Sequence, residues 1–183
     1  MNKTYLRRVL LRNWTNFNTI LDFSDATTLL QGENGSGKST VIDAVNLVLS
    51  GSKRFNDASN KNNGERNIAS AIHNYDRQND RILRPGPVTA YVILEFYDEK
   101  NDHYFLNGIQ MTSSGYSGTV NNVNELYFAA DGMKLEDVKD DIFSSVPEMQ
   151  DILKKKSSKI RIMRKKDEAF KYFFKNRRMK ETQ

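Results

Sequence analysis

The stretch from Leu29 to Leu49, LLQGENGSGKSTVIDAVNLVL, constrains this chain more than any other. Gly32-Glu33-Asn34-Gly35-Ser36-Gly37-Lys38-Ser39 satisfies G-x-x-x-x-G-K-[ST], the pattern of a phosphate-binding loop. Each residue type has a chemical reason. Glycines let the backbone turn tightly and aim successive N–H groups at phosphate oxygens. The helix that follows presents its positive N-terminal end to the same anion. Lys38, the catalytic candidate, is expected to bridge the β and γ phosphates of ATP. The Ser39 hydroxyl is expected to ligate Mg²⁺, and Thr40 completes the binding set. Thr27 to Gln31 (TTLLQ) favours a strand running into Gly32. From Lys38 to Leu49 the polar Asp43, Asn46 and Ser50 make one narrow stripe on a helix that is otherwise apolar and mostly buried. Gly51 is a natural stop. Strand, glycine loop and buried helix form the context that nucleotide binding requires.

Hydrolysis needs more than a loop. A second acidic site, an apolar strand ending in Asp or Glu, must hold Mg²⁺ and polarise water. The nearest match is VILEFYDE, Val92 to Glu99, but Glu95 interrupts the run and Asp98-Glu99 leads into Lys100-Asn101-Asp102. That is hairpin chemistry, joining a strand at Val88 to Tyr97 with one at His103 to Met111. Ser113 to Gly118, SSGYSG, resembles the serine-glycine motif of ABC-type ATPases. It lacks the expected Leu and Gln and reads as a loop. No Ser-His-Asp set or carboxylate pair presents itself. His73 and His103 are isolated and read as ordinary surface or loop residues rather than zinc ligands.

The rest of the chain divides by pattern. Tyr5 to Arg12 and Thr19 to Phe23 read as strands around the polar turn NWTNFN. Ser50 to Arg66 is an Asn-rich loop, Asn67 to Tyr75 a short helix, and Glu125 to Ala130 a further strand. Short helices follow, one starting near Leu135 and one over Pro147 to Lys155. With 183 residues, 38% hydrophobic and 28% charged, the chain fits one domain over residues 1–183. Strands, phosphate loop and first helix fill 1–50, a loop and short helix 51–87, antiparallel strands 88–130, and a helical basic tail 131–183. The sequence has no cysteine, no leader-like N-terminus and no transmembrane run, which points to the cytoplasm. Charge is uneven: Lys154 to Lys180 carries 13 Lys/Arg against 2 Asp/Glu, and the remainder 15 against 21.

These residues resemble a family. LRRVLLRNWTNFNTILDF, TTLLQGENGSGKSTVIDAVNLVLSG, ERNIASAIHNYD and VTAYVILEFYDEKNDHYFLNGIQM look like the front of an SMC/RecF/ABC-type ATPase head, most like MukB or Wadjet-type SMC subunits. Asn13-Trp14, Asn34 to Thr40 and Asp43-Ala44 carry the likeness. The resemblance implies an α/β P-loop NTPase lobe, ABC/SMC-head-like, with an antiparallel β subdomain and a basic helical C-terminal segment. It implies that Lys38 and Ser39 keep their roles with ATP and Mg²⁺. It also implies that a C-terminal half-head, carrying the serine-glycine motif and the acidic pair beyond a coiled coil, completes the site. The chain stops before any such coiled coil, so the expectation is the front half of a head with negligible turnover alone. Gln150 reads as a surface residue rather than the lobe-switch glutamine of such heads. Arg54 and Arg66 read as solvated loop residues.

The tail KKKSSKIRIMRKKDEAFKYFFKNRRMK interleaves cations with Ile160, Ile162, Phe170, Tyr172, Phe173 and Phe174. It reads equally as a contact for double-stranded DNA, which places the chain at the nucleoid, or as an amphipathic helix that packs its aromatics and leaves its charges solvated. Two rivals stand beside the half-head. One is a self-contained small P-loop NTPase or kinase using Glu95 or Asp98. The other is a non-enzymatic fragment that pairs with a full-length SMC-like head.

Overall fold

In the computed structural model, residues 3–24, 27–33, 35–51, 55, 67–76, 78–116, 123–144, 149–156 and 159–178 are described, the last three without their side chains. β-branched and aromatic runs form the backbone of the fold. Strands β1 (Thr4–Trp14) and β2 (Phe17–Asp22) are followed by helices α1 (Lys38–Ser50) and α2 (Ile68–Ile72). A small ribbon, β3 (Tyr75–Asp76) with β4 (Arg81–Ile82), leads to β5 (Val88–Asp98), β6 (His103–Ser113) and β7 (Asn124–Asp131). The chain then runs through α3 (Lys139–Ser144), α4 (Met149–Lys156), β8 (Ile160–Met163) and α5 (Lys166–Arg178).

Six strands make one sheet in the order β2-β1-β5-β6-β7-β8, and every neighbouring pair is antiparallel. The β5–β6 hairpin keeps an unbroken register from Val88↔Ser113 to Asp98↔His103, as the turn-rich DEKND requires. Both faces of the sheet are covered, so its central strands read as near-continuous apolar runs rather than alternating ones. On one face Val9, Leu11, Val92, Leu94, Ile109 and Met111 pack under α1, α2 and α5. On the other, Leu10, Tyr91, Ile93, Leu106 and Phe128 pack under α3 and α4 through Leu135, Val138, Ile142, Met149, Ile152 and Leu153.

Four sequence expectations change. Thr27 to Gln31 forms no strand: no described strand lies beside it, and without a ladder partner the backbone stays irregular. On α1 it is Ile42 that faces out, at 46% exposed, while Asp43 turns inward. His73 is not a surface residue. It is fully buried, with Nδ1 2.5 Å from the Arg84 carbonyl and Nε2 2.9 Å from Ser113 Oγ. The tail is not all helix, because Ile160–Met163 pairs with Tyr127–Ala130 as the sheet's last strand. Its aromatics divide: Phe173 is buried and Phe170 meets Tyr127 edge-on at 5.5 Å, while Phe174 is 51% exposed.

No helix among the described residues is long and apolar enough to cross a membrane.

Candidate functional site

Residues 27–33 lead toward α1, and two of the three motif glycines, just before the helix, take left-handed backbone. Gly35 (φ 85°) and Gly37 (φ 92°) both sit in the left-handed region, where a side chain would strain the backbone. Gly37 is also the residue before the first turn of α1, and a Cβ there would lie 2.6 Å from Phe17 Cζ. Only glycine lets the loop pass so close to that ring. Within the loop, Ser36 N–H donates to the Glu33 carbonyl at 3.2 Å.

Lys38 curls back over its own loop. Its ammonium donates to the carbonyls of Gly32 (2.5 Å) and Glu33 (2.7 Å) and to Ser36 Oγ (3.3 Å). These bonds are already charge-assisted through the ammonium, and all their acceptors are neutral oxygens, so no carboxylate holds Lys38 in the loop. Ser39 and Thr40 occupy the next two positions of α1, Ser39 half-buried and Thr40 buried. Gly32, Glu33, Gly35, Ser36 and Gly37 thus lie just before the 13-residue helix α1, whose first three residues are Lys38, Ser39 and Thr40. Asn34, Arg54 and Arg66 lie outside the described residues.

The floor of the loop is built by residues that the motif alone does not name. The indole N–H of Trp14 donates to the Thr40 carbonyl at 3.0 Å, tying the end of β1 to the first turn of α1. Phe55 packs edge-on against that indole, with ring centroids 5.6 Å apart. Behind Gly35 and Gly37 a cavity of ≈170 Å³ is lined by Trp14, Asn16, Asp43, Ser70, Asn74 and Tyr75, among others. Asn13 and Thr15, in the NWTNF turn, hold positive φ values of 53° and 50°, a strained state for the β-branched threonine. Several bonds tie them down: Asn13 N–H donates to Asn18 Oδ1, Thr15 N–H donates to the Ala71 carbonyl, and the Arg84 guanidinium donates to the carbonyls of Asn13, Thr15 and Ile72. Burial, and then the nearby Arg12, push the Arg84 pKa below its usual value. The aromatics of NWTNF were the sequence signal for this floor. Nothing in the sequence marked Arg84, seventy residues away.

The candidate acids play structural parts. Glu95 is 2% exposed and accepts two parallel hydrogen bonds of 2.8 Å from Arg8, one from Nε and one from Nη2. It also accepts the Leu135 N–H at 2.7 Å. The Glu95 hydrogen bond is the chief cause that raises the Arg8 pKa above its ordinary value. Asp98 caps the hairpin turn, accepting the Lys100 N–H at 3.2 Å and the Asn101 amide at 2.6 Å. Ser113, the first residue of SSGYSG, holds His73. Ser117 and Gly118 of that motif lie outside the described residues.

Loop and sheet together define a mixed α/β domain with a mostly antiparallel sheet and a P-loop. Residues 6–62 match the family described as the P-loop containing region of AAA domain, a span that takes in most of β1, all of β2 and α1, and the loop between them. No curated protein matches the chain.

Proposed function

We propose that this chain is the ATP-binding N-terminal part of an SMC-like ATPase head, which engages a C-terminal half-head or partner head to hydrolyse ATP. The observation that carries the reading is the glycine-bent loop at the start of a buried helix, with Lys38 held over it and able to leave for a phosphate. The backbone from Gly32 to Gly37 would wrap the phosphates, Lys38 would take the β and γ oxygens, and Ser39 would supply a hydroxyl to Mg²⁺. Bound Mg²⁺ would neutralise phosphate charge and align the terminal phosphoryl group.

Two further features favour an incomplete head over a self-contained NTPase. Glu95 and Asp98 are already committed to Arg8, Leu135 and the hairpin turn. Thr27 to Gln31 leads into the loop with no strand beside it among the described residues, and Leu29 is 80% exposed. A strand from a partner that paired there would cover Leu29 and complete the sheet behind the phosphates. The cations of α4, β8 and α5 support contact with the backbone of double-stranded DNA.

Titrating ATP·Mg²⁺ into the pure chain and into Lys38→Ala tests the reading. Saturable binding that Lys38→Ala removes, with negligible turnover, is the expected outcome. Robust steady-state hydrolysis by the pure chain, abolished by Lys38→Ala, would overturn it.

A further inference from the structure

A cavity larger than the one behind the phosphate loop opens beside the start of β7. Its volume is ≈700 Å³, within the range of small-ligand sites. Thr112 and Gln110 on β6, Asn124 and Glu125 on β7, Gln150 on α4, Arg164 just after β8 and Lys166 at the start of α5 all line it. Lys166 places it at the far end of α1 from the phosphate loop: a Cβ at Gly51, the residue that stops α1, would lie 2.8 Å from Lys166 Cε. A helix of that length separates the two ends by about 20 Å.

Four elements, β6, β7, α4 and α5, and the link before α5 bring polar side chains to this one space. Gln110 is 3% exposed, and its Oε1 accepts the Met149 N–H at 2.7 Å, which fixes the amide at the mouth of α4. Among the described residues, Thr112, Asn124, Gln150 and Arg164 make no side-chain hydrogen bond or ion pair, so their polar atoms are left for solvent or a ligand. Arg164 and Lys166 bring two positive charges against the one negative charge of Glu125. The Glu125 carboxylate is steadied by the Tyr127 hydroxyl, which donates to it.

We infer that this cavity is a second ligand site, for a nucleotide monophosphate unit. The pairing of chemistry is specific. Two neighbouring cations suit a phosphate monoester, a carboxylate accepts from sugar hydroxyls, and three amides with a threonine offer both donors and acceptors to the edge of a base. A free mononucleotide and the end of a nucleic-acid strand share this chemistry. The site is independent of the phosphate loop, so the test is made with the loop disabled.

The full chain carrying Lys38→Ala is titrated by calorimetry with AMP, GMP, CMP and UMP in turn, and with a short single-stranded oligonucleotide. Saturable binding of at least one mononucleotide, with a Kd below roughly 1 mM, is expected. Removing two charge-assisted bonds by Arg164→Ala with Lys166→Ala should weaken it by roughly tenfold or more, with the unfolding midpoint unchanged. Gln150→Leu, which alters no charge, should weaken it as well. Tighter binding of the oligonucleotide that responds to the same variants assigns the ligand to a strand end, and binding of mononucleotides alone assigns it to a free metabolite. The inference fails if no mononucleotide saturates the Lys38→Ala chain at millimolar concentration. It fails equally if Gln150→Leu changes nothing, since the cations would then be acting only as an unspecific charged surface.

Discussion

Arg8 and Glu95 face each other across β1 and β5 through two hydrogen bonds of 2.8 Å, with Glu95 2% exposed. The pair decides what Glu95 is for. A carboxylate that polarises water at a bound metal needs a free oxygen, and both oxygens here accept from Arg8, with Oε2 also accepting from Leu135. Glu95→Ala leaves Arg8 without its main partner and should cost about 3 kcal/mol of stability. Glu95→Gln keeps the shape and should cost less, about 1–2 kcal/mol. Urea denaturation of both variants checks this. A Glu95→Gln chain of unchanged stability that had lost an ATPase activity shown by the parent would restore Glu95 as a catalytic acid.

The two loop glycines should respond differently to a methyl group. At Gly35 a Cβ meets nothing within 4 Å, so Gly35→Ala carries only the strain of its positive φ, about 1 kcal/mol. At Gly37 the same strain is joined by a 2.6 Å approach to Phe17, so Gly37→Ala should cost about 2–3 kcal/mol and displace the turn that precedes Lys38. Denaturation midpoints give the first comparison and ATP titration the second. Gly37→Ala should reduce nucleotide affinity more severely than Gly35→Ala. Equal effects in both measurements would mean that the approach to Phe17 does not shape the loop.

What the sequence made legible was what depends on neighbours in the chain. The glycine spacing, the helix stop at Gly51 and the β5–β6 hairpin are local, and the structure keeps them. What it hid depends on partners far along the chain. His73 reads as polar and therefore exposed, yet Arg84 and Ser113 satisfy both its nitrogens inside the core. Asp43 falls on the polar stripe of α1, yet it lines the cavity behind the glycine loop. Ile160 to Met163 is too short to stand out among the cations around it, and it becomes a strand because β7 offers an edge. TTLLQ shows the converse: strand propensity with no neighbour gives no strand.

Tyr127 should set an alkaline limit on stability. Burial first, and then its hydrogen bond to Glu125, push its phenol pKa well above the ordinary value near 10. The folded chain therefore holds this proton more tightly than the unfolded chain. Its contribution is complete below about pH 10 and is lost as pH rises toward the folded value, with a slope of at most about 1.4 kcal/mol per pH unit. Denaturation series taken between about pH 9 and about pH 11 should show stability falling, and Tyr127→Phe should flatten that fall. An identical slope in both proteins would mean that the phenol ionises as readily in the fold as outside it.

The basic face offers the sharpest test of DNA binding, because its charges and its packing are carried by different residues. Ile152 and Leu153 anchor α4, and Ala169 and Phe173 anchor α5, all buried. Lys154, Lys155 and Lys165 are exposed on the same elements and the link between them. Replacing those three lysines with glutamine should shift stability by less than about 0.5 kcal/mol. If they meet phosphates, affinity for a labelled duplex should fall uniformly across sequences. The slope of log K against log salt should also shrink by about 0.9 for each phosphate that a lysine no longer neutralises. Anisotropy titrations at several salt concentrations measure both quantities. Unchanged affinity and slope would leave these lysines as the solvated side of an amphipathic tail, whose aromatics already account for its place on the sheet.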